Sequence, residues 1–186
     1  MKKLAILLLF FISFKAAAQD KYTIEYQFSE KDGNNQKTFT LSRDGDKIKL
    51  KGKDKYGNMV TMWAFKNENT IYTLTENKDV KLGTKYNGMD CSYIGMQWGI
   101  YILDLNSCDY LISNASAEGT ADIAGKTCTI YNVMKQGDLR TDYYVYDNKL
   151  TLKMSSPATT IVALSFNDSP TFAPDEFTLP TGVDWQ

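Results

Sequence analysis

The side chains that could do chemistry are few in this 186-residue chain, and histidine is absent altogether. Ser-His-Asp and Cys-His nucleophile pairs are therefore excluded in their common forms. Zinc sites built on imidazole are excluded with them. The three cysteines, Cys91, Cys108 and Cys128, are too few for an all-cysteine zinc site, and no C-x-x-C pair points to a redox centre. In an oxidising compartment two of the three are expected to pair. Cys108 with Cys128 is the preferred disulfide, because it ties a helix end to the start of a strand. Cys91–Cys108 and Cys91–Cys128 stay open as alternatives. A loop of that size, once closed, stabilises a fold by about 3 kcal/mol in the chain-entropy picture.

The carboxylates offer less. Asp44-Gly45-Asp46 has the composition of a hairpin turn rather than a metal site. Asp32-Gly33-Asn34-Asn35 lacks the alternating ligands and terminal Glu of a calcium loop. Asp138, Asp142 and Asp147 flank a tyrosine-rich segment with no spacing that marks an acid–base pair. Asn114-Ala115-Ser116 and Asn167-Asp168-Ser169 match the glycosylation sequon, which matters only in a eukaryotic secretory pathway. Trp63, Trp98, Met59, Met62, Met89 and Met96 form a methionine–aromatic set. Such sets line adaptable apolar cavities and also build ordinary cores. No catalytic residue, cofactor or metal is expected.

The elements that must position these residues are mostly strands. Tyr22, Ile24, Tyr26 and Phe28 alternate with polar residues, and Phe39 with Leu41 and Ile48 with Leu50 continue the pattern. Met59 to Phe65 and Thr70 to Thr75 complete a five-strand meander closed by short turns, Asp44-Gly45 among them. Tyr86 to Asp90 reads as loop. Residues 98–113 show apolar spacing of three to four and predict a helix packed against the sheet. Strands return at Lys126 to Met134, Thr141 to Tyr146, Leu150 to Met154 and Thr159 to Phe166. The tail from Pro170 is extended, with Phe172 and Phe177 as anchors.

The N-terminus has the grammar of a secretory signal over residues 1–18. Lys2 and Lys3 precede an apolar run from Leu4 to Phe14 broken only by Ser13, and Ala16-Ala17-Ala18 supplies the small residues of a cleavage site. That run is about half of the roughly 20 residues that span a bilayer, so no integral membrane protein is expected. Gln19, not the cysteine of a lipoprotein, follows the cleavage site. Residues 19–186 are expected to form a single domain outside the cytoplasm. Lys2, Lys3 and Lys15 leave with the leader, which takes the formal net charge from −1 to −4. A mildly acidic chain without a basic cluster is unsuited to nucleic acid.

The order of elements carries a resemblance. A meander, a mid-chain helix, the strand Ile123-Ala-Gly-Lys-Thr-Cys128-Thr-Ile-Tyr131, the hairpin Tyr143–Tyr146 into Leu150–Lys153 and the ending Phe177-Thr-Leu-Pro-Thr-Gly182 together resemble the LolA-like superfamily of periplasmic lipoprotein carriers and lipid-binding proteins. The leader form, with Gln after the Ala run, resembles that of Bacteroidetes envelope proteins. The resemblance implies a mainly β (α+β) fold, a strongly curved antiparallel sheet forming an incomplete β-barrel with a helix on its concave face. It implies that Tyr22, Ile24, Tyr26, Phe28, Phe39, Leu41, Ile48 and Leu50, with Met62 and Trp63 from the methionine–aromatic set, face an apolar groove lidded by 98–113. The implied function is a periplasmic carrier of a lipid, acyl chain or other hydrophobic ligand, driven by apolar burial without a catalytic group. The alternative is a non-catalytic structural or protein-interaction module whose concave face is filled by its own side chains.

Overall fold

The computed structural model describes residues 20–31, 33, 35–89, 93–96, 98, 100, 102, 112–113, 115–135 and 139–186. The first meander consists of β1 (Lys21–Glu30), β2 (Gln36–Asp44), β3 (Lys47–Lys53), β4 (Met59–Phe65), β5 (Thr70–Glu76) and β6 (Lys81–Asn87). A short helix α1 (Tyr93–Met96) follows. The second meander is β7 (Ser116–Ile123), β8 (Lys126–Lys135), β9 (Leu139–Tyr146), β10 (Leu150–Ser155) and β11 (Thr159–Asn167). Each strand pairs with its neighbour in sequence within a meander, and β1 pairs antiparallel with β11 to join the two. The result is one 11-stranded sheet in the order β6-β5-β4-β3-β2-β1-β11-β10-β9-β8-β7, with β6 and β7 as its unclosed edges.

The sheet is curled as well as open. Neighbouring strands lie about 4.8 Å apart, so β8 and β11 would stand roughly 14 Å apart if flat. Yet the Lys126 ammonium at the start of β8 sits 4.9 Å from the Phe166 ring centroid on β11. It also meets the Asp168 carboxylate at 2.7 Å. The inner faces of the two meanders share one core. Ile24, Leu41 and Ile48 from the first half are buried in the same cluster as Cys128, Leu152 and Ile161 from the second.

Local chemistry explains the turns. Asp147 and Asn148 both take positive φ, 49° and 53°, at the β9–β10 hairpin. That backbone suits the twist of antiparallel strands, and Asn and Asp tolerate it better than most side chains. Asp54 organises the β3–β4 turn by accepting the Tyr56 N–H at 2.8 Å and the Asn58 N–H at 2.9 Å.

The tail crosses the outer face of the first meander. Phe172 packs edge-on against Phe177 with ring centroids 5.0 Å apart. The Lys49 ammonium donates to the Glu176 carbonyl at 2.9 Å and pairs with its carboxylate at 3.2 Å. The chain ends on the β6 edge, where the Lys85 N–H donates to the Gln186 carbonyl at 2.7 Å. Trp185 bridges Gly83 in parallel, and a Cβ on Gly83 would fall 2.4 Å from Val183 Cγ1. The glycine thus lets the tail lie flat on this edge and shield part of it from other strands.

Two expectations change. The helix predicted over 98–113 is not present at Trp98, Ile100 or Ile102 and is present at Ile112 and Ser113, while residues 99, 101 and 103–111 lie outside the described residues. Trp98 and Ile100 donate their N–H groups back to the Gly95 carbonyl, at 2.9 and 3.1 Å. Ile102 forms an antiparallel bridge with Leu150. The short helix α1 sets the fully buried Ile94 into the core. The segment read as loop from Tyr86 also changes, because β6 continues through Asn87.

Candidate functional site

The predicted groove residues come together on the inner face. In register, Tyr22, Ile24, Tyr26 and Phe28 lie opposite Arg43, Leu41, Phe39 and Lys37. Leu41 lies opposite Leu50, and Leu50 opposite Met62. Tyr22, Ile24, Tyr26, Phe39, Leu41, Ile48, Leu50 and Met62 are all buried, and Phe28 is half-buried against them. Successive strand residues point to opposite faces, so Met62 and Trp63 cannot both face inward. Met62 does. Trp63 lies on the outer face, edge-on to Trp185 with ring centroids 6.3 Å apart, and drops out of the groove.

The deep part of this face is filled. Ile94 and Ile102 have no exposed surface and Ile100 only 1%, and all three belong to the same core cluster as the inner row. Gly95 allows the tight fold of this plug, since a Cβ there would sit 2.7 Å from the Ile100 carbonyl oxygen. At the centre, the Tyr26 hydroxyl donates to the Thr151 carbonyl at 2.9 Å. Burial pushes its pKa well above the ordinary tyrosine value, so it is a neutral donor. Tyr26 stacks on Phe39 at 5.2 Å, and Phe39 on Trp98 at 5.7 Å. This ladder of rings leads from the centre to one end of the half-barrel.

Open space remains at two mouths. At the start of β1, a cleft of about 200 Å³ is lined by Tyr22, Arg43, Tyr146, Leu150 and Phe166, with Asp20 and Lys149 at its rim. At the other end a cavity of about 460 Å³ is lined by Phe28, Val60 and Trp98, with Lys37, Lys53 and Lys55 among its polar groups. Neither cation that ends the inner row of β2 featured in the groove predicted from sequence. Reading the row outward from Phe39 and Leu41 at two-residue spacing would have found both Lys37 and Arg43.

Cys128 is a buried free thiol that reaches the Lys126 carbonyl at 3.6 Å. Burial pushes its pKa up to about 11, with Asp122 adding to the shift. Such a thiol is protonated at neutral pH and a poor nucleophile. Its expected disulfide partner Cys108, like Cys91, lies outside the described residues. Among the described residues no group of three or more Cys, Asp or Glu could hold a metal ion, and no helix is long and apolar enough to cross a membrane.

No protein family matches the chain by sequence, and no curated protein does. Solved structures do resemble it. A conserved protein from Thermus thermophilus superposes with a TM-score of 0.57 at 6% identity, covering 91% of each chain. PNGF-II superposes at 0.54 with 12% identity over 90% of this chain, which spans only 32% of that protein. A proposed outer membrane lipoprotein-sorting domain from Vibrio parahaemolyticus aligns at 0.39 and 7% identity, over 87% of this chain and 91% of its own, too low a score to support an argument. At such identities the first two likenesses show a common fold and nothing about ligands.

Proposed function

We propose that this protein is a non-catalytic binding module of the cell envelope, with a half-barrel filled at depth by its own chain and open to ligand at its mouths. The observation that carries this reading is the complete burial of Ile94, Ile100 and Ile102 against the inner face. A long acyl chain could occupy that face only by expelling them. Exposing three such side chains costs about 1.5–3 kcal/mol each, or roughly 5–9 kcal/mol together. An acyl chain regains about 0.8 kcal/mol per buried CH₂. A short chain therefore falls short of the cost of opening. A long one gains a few kcal/mol at best, most of which association entropy removes.

The envelope address rests on the signal-like leader, Lys2 to Ala18. The non-catalytic part rests on a chain without histidine-based chemistry. Native mass spectrometry of protein purified from its own periplasm tests the reading. The expected spectrum shows the bare polypeptide mass. A stoichiometric acyl-lipid adduct that survives purification would overturn the filled-core reading in favour of a carrier whose 94–102 plug swings out.

A further inference from the structure

The mouth beside Lys37 has features that core packing does not require. Lys37 stands opposite Phe28 in the β1–β2 register, so it continues the inner row of Phe39 and Leu41. The outer face of β3 carries Lys49, Lys51 and, by the same alternation, Lys53, and Lys49 there is paired with Glu176. Lys53 and Lys55 join Lys37 around a cavity with Phe28, Val60 and Trp98 in its lining. Its volume of about 460 Å³ falls within the range of small-molecule sites, about 300–1,000 Å³. The cleft at the opposite end falls below it.

The two carboxylates of this rim are already engaged. Asp54 accepts the Tyr56 and Asn58 N–H groups and, at 2.8 Å, the Asn58 side-chain amide. Burial pushes its pKa up, but the Asn58 and Tyr56 hydrogen bonds outweigh that, and the carboxyl is held below its ordinary value. Glu30 accepts the Asn35 side-chain amide at 3.0 Å. Among the described residues, Lys37, Lys53 and Lys55 are in no ion pair. Three cations thus share the rim of an apolar floor with the Glu30 and Asp54 carboxylates, a formal balance of +1, and the Lys37 charge already acts on Asp54.

We infer that this mouth binds a single-chain amphiphile with an anionic head, the head on the Lys37–Lys53–Lys55 rim and the first carbons of the chain over Phe28, Val60 and Trp98. The inference rests on the binding-module reading above and names the ligand class for one of its mouths. Charge-assisted hydrogen bonds select the head. Apolar contact holds the chain without requiring the deeper plug to move. A neutral head of equal length forgoes the charge-assisted hydrogen bonds, and a cationic head is repelled.

Trp98 makes the test direct. The full mature protein is titrated with decanoate, decyl phosphate, decanol and decyltrimethylammonium, each below its micelle concentration, by tryptophan fluorescence with calorimetry in parallel. Both anions are expected to bind and to change an emission component that Trp98→Phe removes. Decanol binds about tenfold more weakly, and the cation and inorganic phosphate do not bind. Lys37→Gln weakens decanoate about tenfold with an unchanged melting temperature. Lys37→Gln with Lys55→Gln abolishes the preference over decanol. Equal affinity for decanol and decanoate, an unaffected Lys37→Gln variant, or tight binding of phosphate alone would each overturn the inference while leaving the module reading standing. If none of the four amphiphiles binds, the module reading fails with it.

Discussion

The inner row of β2 ends in a cation at each mouth, and the two ends have opposite characters. Arg43 is 5% exposed. Its Nε donates to the Gly45 carbonyl at 2.9 Å, and a terminal nitrogen lies 3.5 Å from the Asp20 carboxylate. It also faces the Tyr22 ring at 6.0 Å. Lys37 is half-exposed and in no ion pair among the described residues. A planar guanidinium can satisfy several acceptors from a buried position, whereas an ammonium holds its water more strongly. The guanidinium end is accordingly part of the structure, while the ammonium end is left for something to bind. Position in the inner row alone does not separate the two; the partners do.

The strongest way to break this comparison is to remove the wall between the mouths. Ile100→Ala is expected to cost about 2–5 kcal/mol of stability, read by denaturant unfolding. The same variant should accept longer alkyl carboxylates at the Lys37 mouth than the natural protein does. An unchanged chain-length optimum would show that the mouths do not communicate through the plug. Next in size, Arg43→Met should destabilise by about 1–3 kcal/mol, since it takes the donor from the Gly45 carbonyl and leaves Asp20 with Lys149 as its remaining ion-pair partner among the described residues. Lys37→Met should stay within about 0.5 kcal/mol. Equal losses for the two would dissolve the distinction.

Cys128 reports on the shared core behind both mouths. With its pKa raised to about 11, the thiol should resist maleimide near neutral pH and react promptly once the protein is unfolded. Rapid native labelling would mean that the core opens. Thiol counting on denatured, unreduced protein bears on the cysteine pairing: a single free thiol mapped to Cys128 would assign the disulfide to Cys91 and Cys108.

The smallest effect is expected from the Lys126–Asp168 pair beside the Arg43 mouth. The hydrogen bond from Lys126, followed by its charge, holds the Asp168 carboxyl below its ordinary value. A carboxyl with a depressed folded pKa stabilises the fold above its unfolded value of about 4 and loses that contribution as the pH falls through the folded one. Asp168→Asn should therefore lose a small contribution near neutrality, flatten the acid limb of the stability curve slightly, and match the natural protein at low pH, where the carboxyl is protonated. A neutral-pH loss comparable to that of Arg43→Met would move this pair into the structural group.

The strands were legible wherever one face is apolar. β1 to β5 and β8 to β11 fall within a few residues of the segments read from alternation and turn residues, because a half-buried strand must show a period of two. The two edge strands were not legible. β6, Lys-Leu-Gly-Thr-Lys-Tyr-Asn, and β7, Ser-Ala-Glu-Gly-Thr-Ala-Asp-Ile, are largely exposed, and neither carries the pattern that burial imposes. Trp98, Ile100 and Ile102 do alternate by two, but the wider apolar spacing from Trp98 to Ser113 suggested a helix. Composition groups Trp63 with Met62, whereas adjacency on β4 sends the two to opposite faces. Phe172 and Phe177, read from sequence as anchors, pack on each other, and Trp185 makes the contacts with Trp63 and Tyr72.

By itself the sequence determined a β-rich chain, the inward rows from Tyr22 to Leu50, the turns and a chemistry without histidine. These follow from local periodicity, composition and turn preference, which act over a few residues. Only the tertiary structure decided that β1 zips onto β11, that the concave face is occupied by Ile94, Ile100 and Ile102, and that Arg43 is paired where Lys37 is not. Those outcomes depend on which distant side chains reach the same volume and on whether a charge finds a partner there. A one-dimensional pattern does not encode either.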